Sequence, residues 1–267
     1  MSSLGAIVRQ YSDVHRCLVR YMMMKGYTTV SDFLDKVIAF KEVFNEGGDN
    51  SDEIEQLKNN RDSIMEPLIK FMNRKLDFSG LRFVEIVDEY DGDASFVALV
   101  NSCAFSDVLT SGFKPNEMAF ITKLFKSICN DERAELNSCD ALNMGYETDV
   151  KLSLKRSQEI LDKLIASKWL CLDPENRSML RLTVKGELEW GQYVQSESIL
   201  HKCSLCQNFI LIKSRLLHCT VCNDTFIHQH CAKRMIQKRK LANFKCPGRD
   251  GKCGAVLLRR AEIGGGC

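Results

Sequence analysis

The chain has 267 residues, 45% of them hydrophobic, which is enough for two or three compact domains with separate cores. Its 37 basic and 35 acidic residues nearly balance, so the chain as a whole is not a polycation. The start, MSSLGAIVRQYSD, has no basic residues leading into an apolar run, and no apolar stretch approaches the roughly 20 residues that span a bilayer. The expectation is a soluble, intracellular protein with no membrane partner.

The spacing of apolar residues predicts a first helix from Gly5 to Met24, with Val8, Tyr11, Val14, Cys17, Leu18 and Tyr21 inward and Gly26 as its C-terminal cap. SDFLDKVIAFKEVF reads as a second helix, capped by Thr29 or Ser31, with Phe33, Val37, Ile38 and Phe44 inward. A loop, NEGGDNSDE, leads to a third helix over Glu53 to Leu76, which Pro67 is expected to bend or restart. RFVEIVDEYDGDASFVALVN alternates about Asp91-Gly92, the mark of a β-hairpin.

The plan then repeats. KPNEMAFITKLFKSI is a helix with Pro115 near its start, and Ser138 to Met144 is a short one. SLKRSQEILDKLIASK is a third, with Leu154, Ile160, Leu161, Leu164 and Ile165 inward. WLCLD and SMLRLTV flank the turn Pro174 to Arg177 as a second hairpin, and TVKGELEWGQYVQ closes the unit. Helices followed by a two-stranded wing, twice over, favour an α+β chain of tandem winged helices above a generic α+β body. Around the third helix, Glu159 and Asp162 interrupt the basic residues Lys151, Lys155, Arg156, Lys163 and Lys168 that a DNA-reading helix needs, so protein assembly is the better reading. The expected domains are 1–102 and 103–197, both winged helices, and 198–267, a small zinc domain.

Seven of the 13 cysteines lie between Cys203 and Cys253, and four of the five histidines between His201 and His230. In a reducing compartment such clustering points to metal. The other six cysteines, Cys17, Cys103, Cys129, Cys139, Cys171 and Cys267, read as small buried hydrophobes plus an exposed tail residue. From His201 onward there are 13 basic and three acidic residues, formally +10, against −8 for the rest. KRMIQKRK within this tail suits a solvated helix face better than phosphate contacts, which would be salt-dependent.

The candidate ligands fall into four pairs: Cys203 with Cys206, Cys219 with Cys222, His228 with Cys231, and Cys246 with Cys253. Zinc takes four soft or borderline ligands at tetrahedral corners, and a Cys-x-x-Cys knuckle supplies two with little strain. Their order favours a cross-brace with two Zn2+ ions. Cys203, Cys206, His228 and Cys231 would share one, and Cys219, Cys222, Cys246 and Cys253 the other. Eight ligands leave no coordination position open for water, so hydrolytic zinc chemistry is not expected. His228 is preferred to His230 because its two-residue spacer to Cys231 matches a knuckle. The last pair has six intervening residues, with Cys267 as a distant substitute for Cys253.

Three readings of such a module remain open. A RING domain docks a ubiquitin-conjugating enzyme through an apolar residue in the first knuckle, here Leu205, and a proline after the seventh ligand, here Pro247. The RING's usual aromatic between the third and fourth pairs is absent, Met235 and Ile236 being the nearest apolar residues, and Gly254 occupies a position often held by a cation. A PHD-like chromatin reader often carries an aromatic two residues before the seventh ligand, here Phe244. The third reading is a purely structural clamp.

Taken together, DVHRCLVRYMMMKG, FVEIVDEYDGDASFVALVNS, SCDALNMG, LSLKRSQEILDKLIASKWL and the C-terminal cross-brace resemble the RING-finger non-SMC element 1 family of the chromosome-maintaining SMC five/six complex. The resemblance covers nearly the whole length. It implies tandem winged helices plus a variant RING with histidine as fifth ligand, and association with a MAGE-family subunit and a kleisin subunit. It further implies a nuclear, chromosome-associated role in DNA repair by homologous recombination, and RING-type ubiquitin-protein ligase activity that depends on the MAGE partner. No residue of this chain is then catalytic. Leu205, Met235 and Pro247 are the expected docking surface for the conjugating enzyme.

Overall fold

The computed structural model describes residues 6–44, 51–91, 94–101, 112–147, 151–195 and 200–263. It is a mixed α/β protein that divides into two compact units. The first comprises 1–88 with 94–109, and the second 89–93 with 110–267. No helix among the described residues is long and apolar enough to cross a membrane.

In the first unit, α1 (Asp13–Lys25) leads through β1 (Tyr27–Thr29) to α2 (Val30–Val43), α3 (Ser51–Asn59) and α4 (Arg61–Leu76). The hairpin β2 (Leu81–Val87) and β3 (Ser95–Asn101) follows, paired from Leu81–Asn101 to Val87–Ser95. β1 adds to β3, giving the sheet order β1-β3-β2. The core joins Leu18 and Met22 of α1, Phe33 and Val37 of α2, Leu68 and Met72 of α4, and Phe83 and Val97 of the sheet. As an edge strand β2 offers unpaired backbone groups. Asn73 of α4 answers them: its Oδ1 accepts the Phe83 amide at 2.8 Å and its Nδ2 donates to the Phe83 carbonyl at 2.9 Å.

Several expected details differ. The first helix starts at Asp13, eight residues after Gly5, because Ser12 is extended and donates its amide to His15 Nδ1 at 3.0 Å, making a cap there. A 3-10 turn, Ala6–Val8, precedes it, and His15 Nε2 donates to the Ile7 carbonyl at 2.7 Å. The long third helix is two, and the break is at Asn60. There the Asn60 side chain bonds the Gln56 carbonyl and the Ser63 hydroxyl bonds the Asn60 carbonyl, drawing backbone groups away from the helical ladder. Pro67 sits inside α4 without interrupting it. Phe44, expected inward, is 47% exposed just past the end of α2. The hairpin expectation centred on Asp91-Gly92 falls partly outside the described residues, since Gly92 is not among them.

The second unit repeats the arrangement. α5 (Pro115–Asn130), β4 (Glu135–Asn137), α6 (Ser138–Asn143) and α7 (Leu154–Ala166) precede the hairpin β5 (Leu170–Leu172) and β6 (Met179–Leu182). The sheet order is β4-β6-β5, and α8 (Val184–Gln195) follows. Ser153 caps α7 by accepting the Arg156 amide at 3.2 Å. Ile160, Leu161 and Leu164 are buried, whereas Leu154, in the first turn of α7, is 48% exposed. Trp190, fully buried, stacks on Phe125 at 4.4 Å, and Trp169 donates to Glu189 at 2.7 Å.

The remaining elements are short: β7 (His201–Lys202), β8 (Phe209–Ile210), β9 (Leu216–His218), β10 (Phe226–His228), α9 (Gln229–Arg239), β11 (Asn243–Lys245) and β12 (Val256–Arg259). They pair as three two-stranded ribbons about a small core of Ile210, Ile227, Ile236, Phe244 and Leu258. Gly191 of α8 lies against the Phe209 ring, where a Cβ would meet Cε2 at 2.7 Å. This segment therefore packs on α8.

Replacing Asn73 with Ala strands a buried amide and carbonyl of β2. The expected cost is about 1–3 kcal/mol to the first unit, read as a lower urea midpoint.

Candidate metal centre

Two clusters form at the C-terminal ribbons. Cys203, Cys206, His228 and Cys231 make one, and Cys219, Cys222, Cys246 and Cys253 the other; within each, the ligand atoms all lie within 4.8 Å of one another. The first and third pairs thus meet, as do the second and fourth. Cys203 and Cys206 bracket the turn from β7 to β8. Cys219 and Cys222 form a similar turn between β9 and β10. His228 and Cys231 sit where β10 passes into α9, and Cys246 and Cys253 lie between β11 and β12.

The turns have knuckle geometry. Leu205 N donates to Cys203 Sγ at 3.4 Å, and Gly248 N to Cys246 Sγ at 3.3 Å. Gln207 and Asn223, which follow the second cysteines of their pairs, adopt φ of +64° and +58°, reversing the chain. In the last pair, Arg249, Asp250 and Gly251 are all left-handed, and the Cys253 amide donates to the Gly248 carbonyl at 3.1 Å. The six-residue insert therefore makes a longer turn that still brings Cys253 to 3.6 Å from Cys219.

The spacing fits a cation. Tetrahedral zinc with Zn–S near 2.3 Å sets S···S edges of about 3.8 Å and N···S edges of about 3.6 Å. Cys219–Cys253 and Cys222–Cys246 are both 3.6 Å, and His228 Nδ1 lies 3.3 Å from Cys206 Sγ and 3.8 Å from Cys231 Sγ. A disulfide would need about 2.05 Å. Each cluster can hold one metal ion, and the soft donor set suits two zinc ions.

The electrostatics agree. Hydrogen bonds from the Cys206 and Cys231 thiols hold Cys203 far below the ordinary thiol range, while Cys203 and Cys206 push Cys231 far above it. In the second cluster the Thr225 hydroxyl leads in lowering Cys222 to about 6, and burial raises Cys246 to about 11. Burial works to lower the His228 pKa, yet hydrogen bonds with Cys203, Cys206 and Glu89 raise it to about 12, so a metal at Nδ1 would take the place of a proton there. Thiols this close ionise together only around a cation.

His230 stacks on His228 at 4.5 Å and stands outside the cluster, as does His218, whose Nε2 lies 3.4 Å from the Asn223 carbonyl. Burial, then the neighbouring His228, lowers His230 to about 4. Leu205 and Met235 are half-buried against the module's own core, whereas Pro247 is exposed. Phe244 is 4% exposed and belongs to that core. Of the scattered cysteines, Cys129 is buried, Cys17 and Cys171 are half-buried and Cys139 is exposed, so Cys139 departs from the expected burial. Cys103 and Cys267 lie outside the described residues.

Three residues at the clusters went unnoticed in the sequence. Thr225 Oγ1 is 3.3 Å from Cys222 Sγ. Gly248 fits because it has no Cβ, which would stand against Thr225 Oγ1 and 2.8 Å from Cys222 Sγ. Glu89, 2% exposed, places Oε1 3.2 Å from His228 Nε2. A glycine beside a ligand was a visible signal for Gly248, but nothing near Glu89 in sequence marks it. Gly248→Ala is expected to weaken binding of the second ion at least tenfold and leave the first in place, measured by chelator competition.

Residues 15–145 match the family model described as "Nse1 non-SMC component of SMC5-6 complex". A chain of the solved "Nse1-Nse3-Nse4 complex" superposes with a TM-score of 0.63 at 19% identity, covering 93% of this chain and 97% of that one. No curated protein sequence matches. The likeness to the non-SMC element 1 family read from the sequence therefore rests on the Nse1 family model over residues 15–145 and on a fold shared over nearly the whole chain.

Proposed function

We propose that this chain is the Nse1-type subunit of an SMC5-6 complex. It would assemble with Nse3-like (MAGE) and Nse4-like (kleisin) subunits, and act as a RING-type ubiquitin-protein ligase in DNA repair by homologous recombination on chromosomes in the nucleus. The observation that carries the reading is the interleaved pair of clusters, one of three cysteines and a histidine and one of four cysteines, at the C-terminal end of a chain with this fold. The clusters' eight residues would hold two zinc ions. Bound there, the ions supply rigidity rather than chemistry, since four protein ligands leave none of their positions for substrate.

The work of such a ligase is positional. The conjugating enzyme carries ubiquitin on its own cysteine, and the module constrains that thioester for attack by a substrate lysine. Leu205, Met235 and Pro247 are the proposed docking residues. Leu205 and Met235 share one apolar cluster with the module core, so their exposed faces would be held firmly, and Pro247 projects beside Cys246.

The second reading is a non-catalytic clamp for the partner subunits. It is favoured by the half-burial of Leu205 and Met235 against the module itself, which leaves less of each for a visiting enzyme. The PHD-like chromatin reader loses its main support, because Phe244 is buried and unavailable to a histone side chain.

Single-turnover discharge of ubiquitin from a charged conjugating enzyme to free lysine separates the two surviving readings. The ligase reading predicts stimulation that requires the MAGE partner and falls at least tenfold in Leu205→Ala or Pro247→Ala. The clamp reading predicts no stimulation across a broad enzyme panel while the partner complex stays intact.

A further inference from the structure

An imidazole that offers Nδ1 to a cation keeps its proton on Nε2, and that proton needs an acceptor when buried. His228 is 2% exposed, with Nδ1 turned to the thiols of Cys206 and Cys231. Its Nε2 faces the opposite way, 2.8 Å from the Phe209 carbonyl and 3.2 Å from Glu89 Oε1. Phe209 belongs to the same module. Glu89 lies 139 residues upstream, in the segment 89–93 that groups with the second unit.

Both oxygens of the carboxylate are held, and the backbone around it is tied down as well. Oε1 accepts the Leu211 amide at 2.8 Å and Oε2 the Ile212 amide at 3.0 Å. These two residues directly follow β8, the strand that supplies the Phe209 carbonyl. The Arg215 guanidinium donates to the Glu89 carbonyl, and the Tyr90 hydroxyl to the Ala134 carbonyl at 2.6 Å. One buried side chain thus holds both the imidazole and the strand carrying the imidazole's other acceptor. Burying a carboxylate is costly unless its oxygens are satisfied, and here each has a partner.

We infer that Glu89 is a positioning residue of the Cys203, Cys206, His228 and Cys231 site, holding His228 with Nδ1 toward the metal and strengthening it as a ligand. The inference rests on the metal reading of that cluster. The second cluster contains no histidine, and no carboxylate is hydrogen-bonded to its ligands among the described residues. The effect therefore belongs to one site only.

The test uses the full chain, loaded with Zn2+ for chelator competition and with Co2+ for absorption spectra, in which the histidine-containing site and the all-cysteine site differ. Wild type is expected to bind two ions. Glu89→Gln should weaken one of them by about 10–100-fold and shift the bands of the histidine-containing site, leaving the other ion unchanged. Glu89→Asp keeps the charge on a shorter arm and should give a smaller loss, which covers the case in which the Gln variant folds poorly. In a His228→Cys background, Glu89→Gln should cause no such loss, because no imidazole remains to be held. An equal loss in both backgrounds would overturn the inference, since Glu89 would then serve only the Leu211 and Ile212 amides. Unchanged affinity in the Gln and Asp variants would overturn it too. Failure of wild type to bind two ions would instead sink the metal reading, and the inference with it.

Discussion

Four thiols, or three thiols and an imidazole, packed within 4.8 Å cannot all adopt their metal-binding protonation states unless a cation sits among them. The C-terminal fold depends on that constraint. Its strands are two to four residues long, its core is a handful of aliphatic side chains and one phenylalanine, and such a core stabilises little by itself. Because the pairs interleave, neither cluster is local. Each ties an early turn to a later one, so the path from His201 to Arg259 is cross-linked twice. The same constraint explains the left-handed backbone at Gln207, Asn223 and Arg249 to Gly251, where the chain reverses to bring sulfurs together.

The module also leans on its surroundings. Phe209 packs on Gly191 of α8, the Lys213 amide donates to the Glu132 carbonyl at 3.1 Å, and Glu89 reaches the back of His228. The ribbons that carry the two clusters are thus braced from α8, from Glu132 and from Glu89.

The sequence made some of this legible and hid the rest for physical reasons. The two sets of four clustered residues could be named from spacing alone, because a knuckle is a local object and the alternation of pairs limits how they combine. Helix interiors such as Phe33, Val37, Ile160, Leu161 and Leu164 were legible because burial recurs with the helical period. Helix ends were not: Phe44 and Leu154 fit the period, but stand at the ends of α2 and α7, where they are 47% and 48% exposed. Three-residue strands such as β1 and β4 are too short to show alternation, and exist because a hairpin offers them an edge. The break at Asn60 came from side-chain competition for backbone groups, whereas the more conspicuous Pro67 was absorbed by its helix. Glu89 was out of reach altogether, one acidic residue among several in DEYDGD, singled out only by a contact 139 residues away.

Whether the eight residues hold two zinc ions, one among three cysteines and a histidine and the other among four cysteines, is tested most directly by X-ray absorption at the zinc edge of the purified full chain. The expected coordination averages seven sulfurs to one nitrogen over the two ions, at distances of about 2.3 Å and 2.0–2.1 Å with no oxygen. A shell containing oxygen, a second nitrogen per pair of ions, or sulfur alone would contradict it.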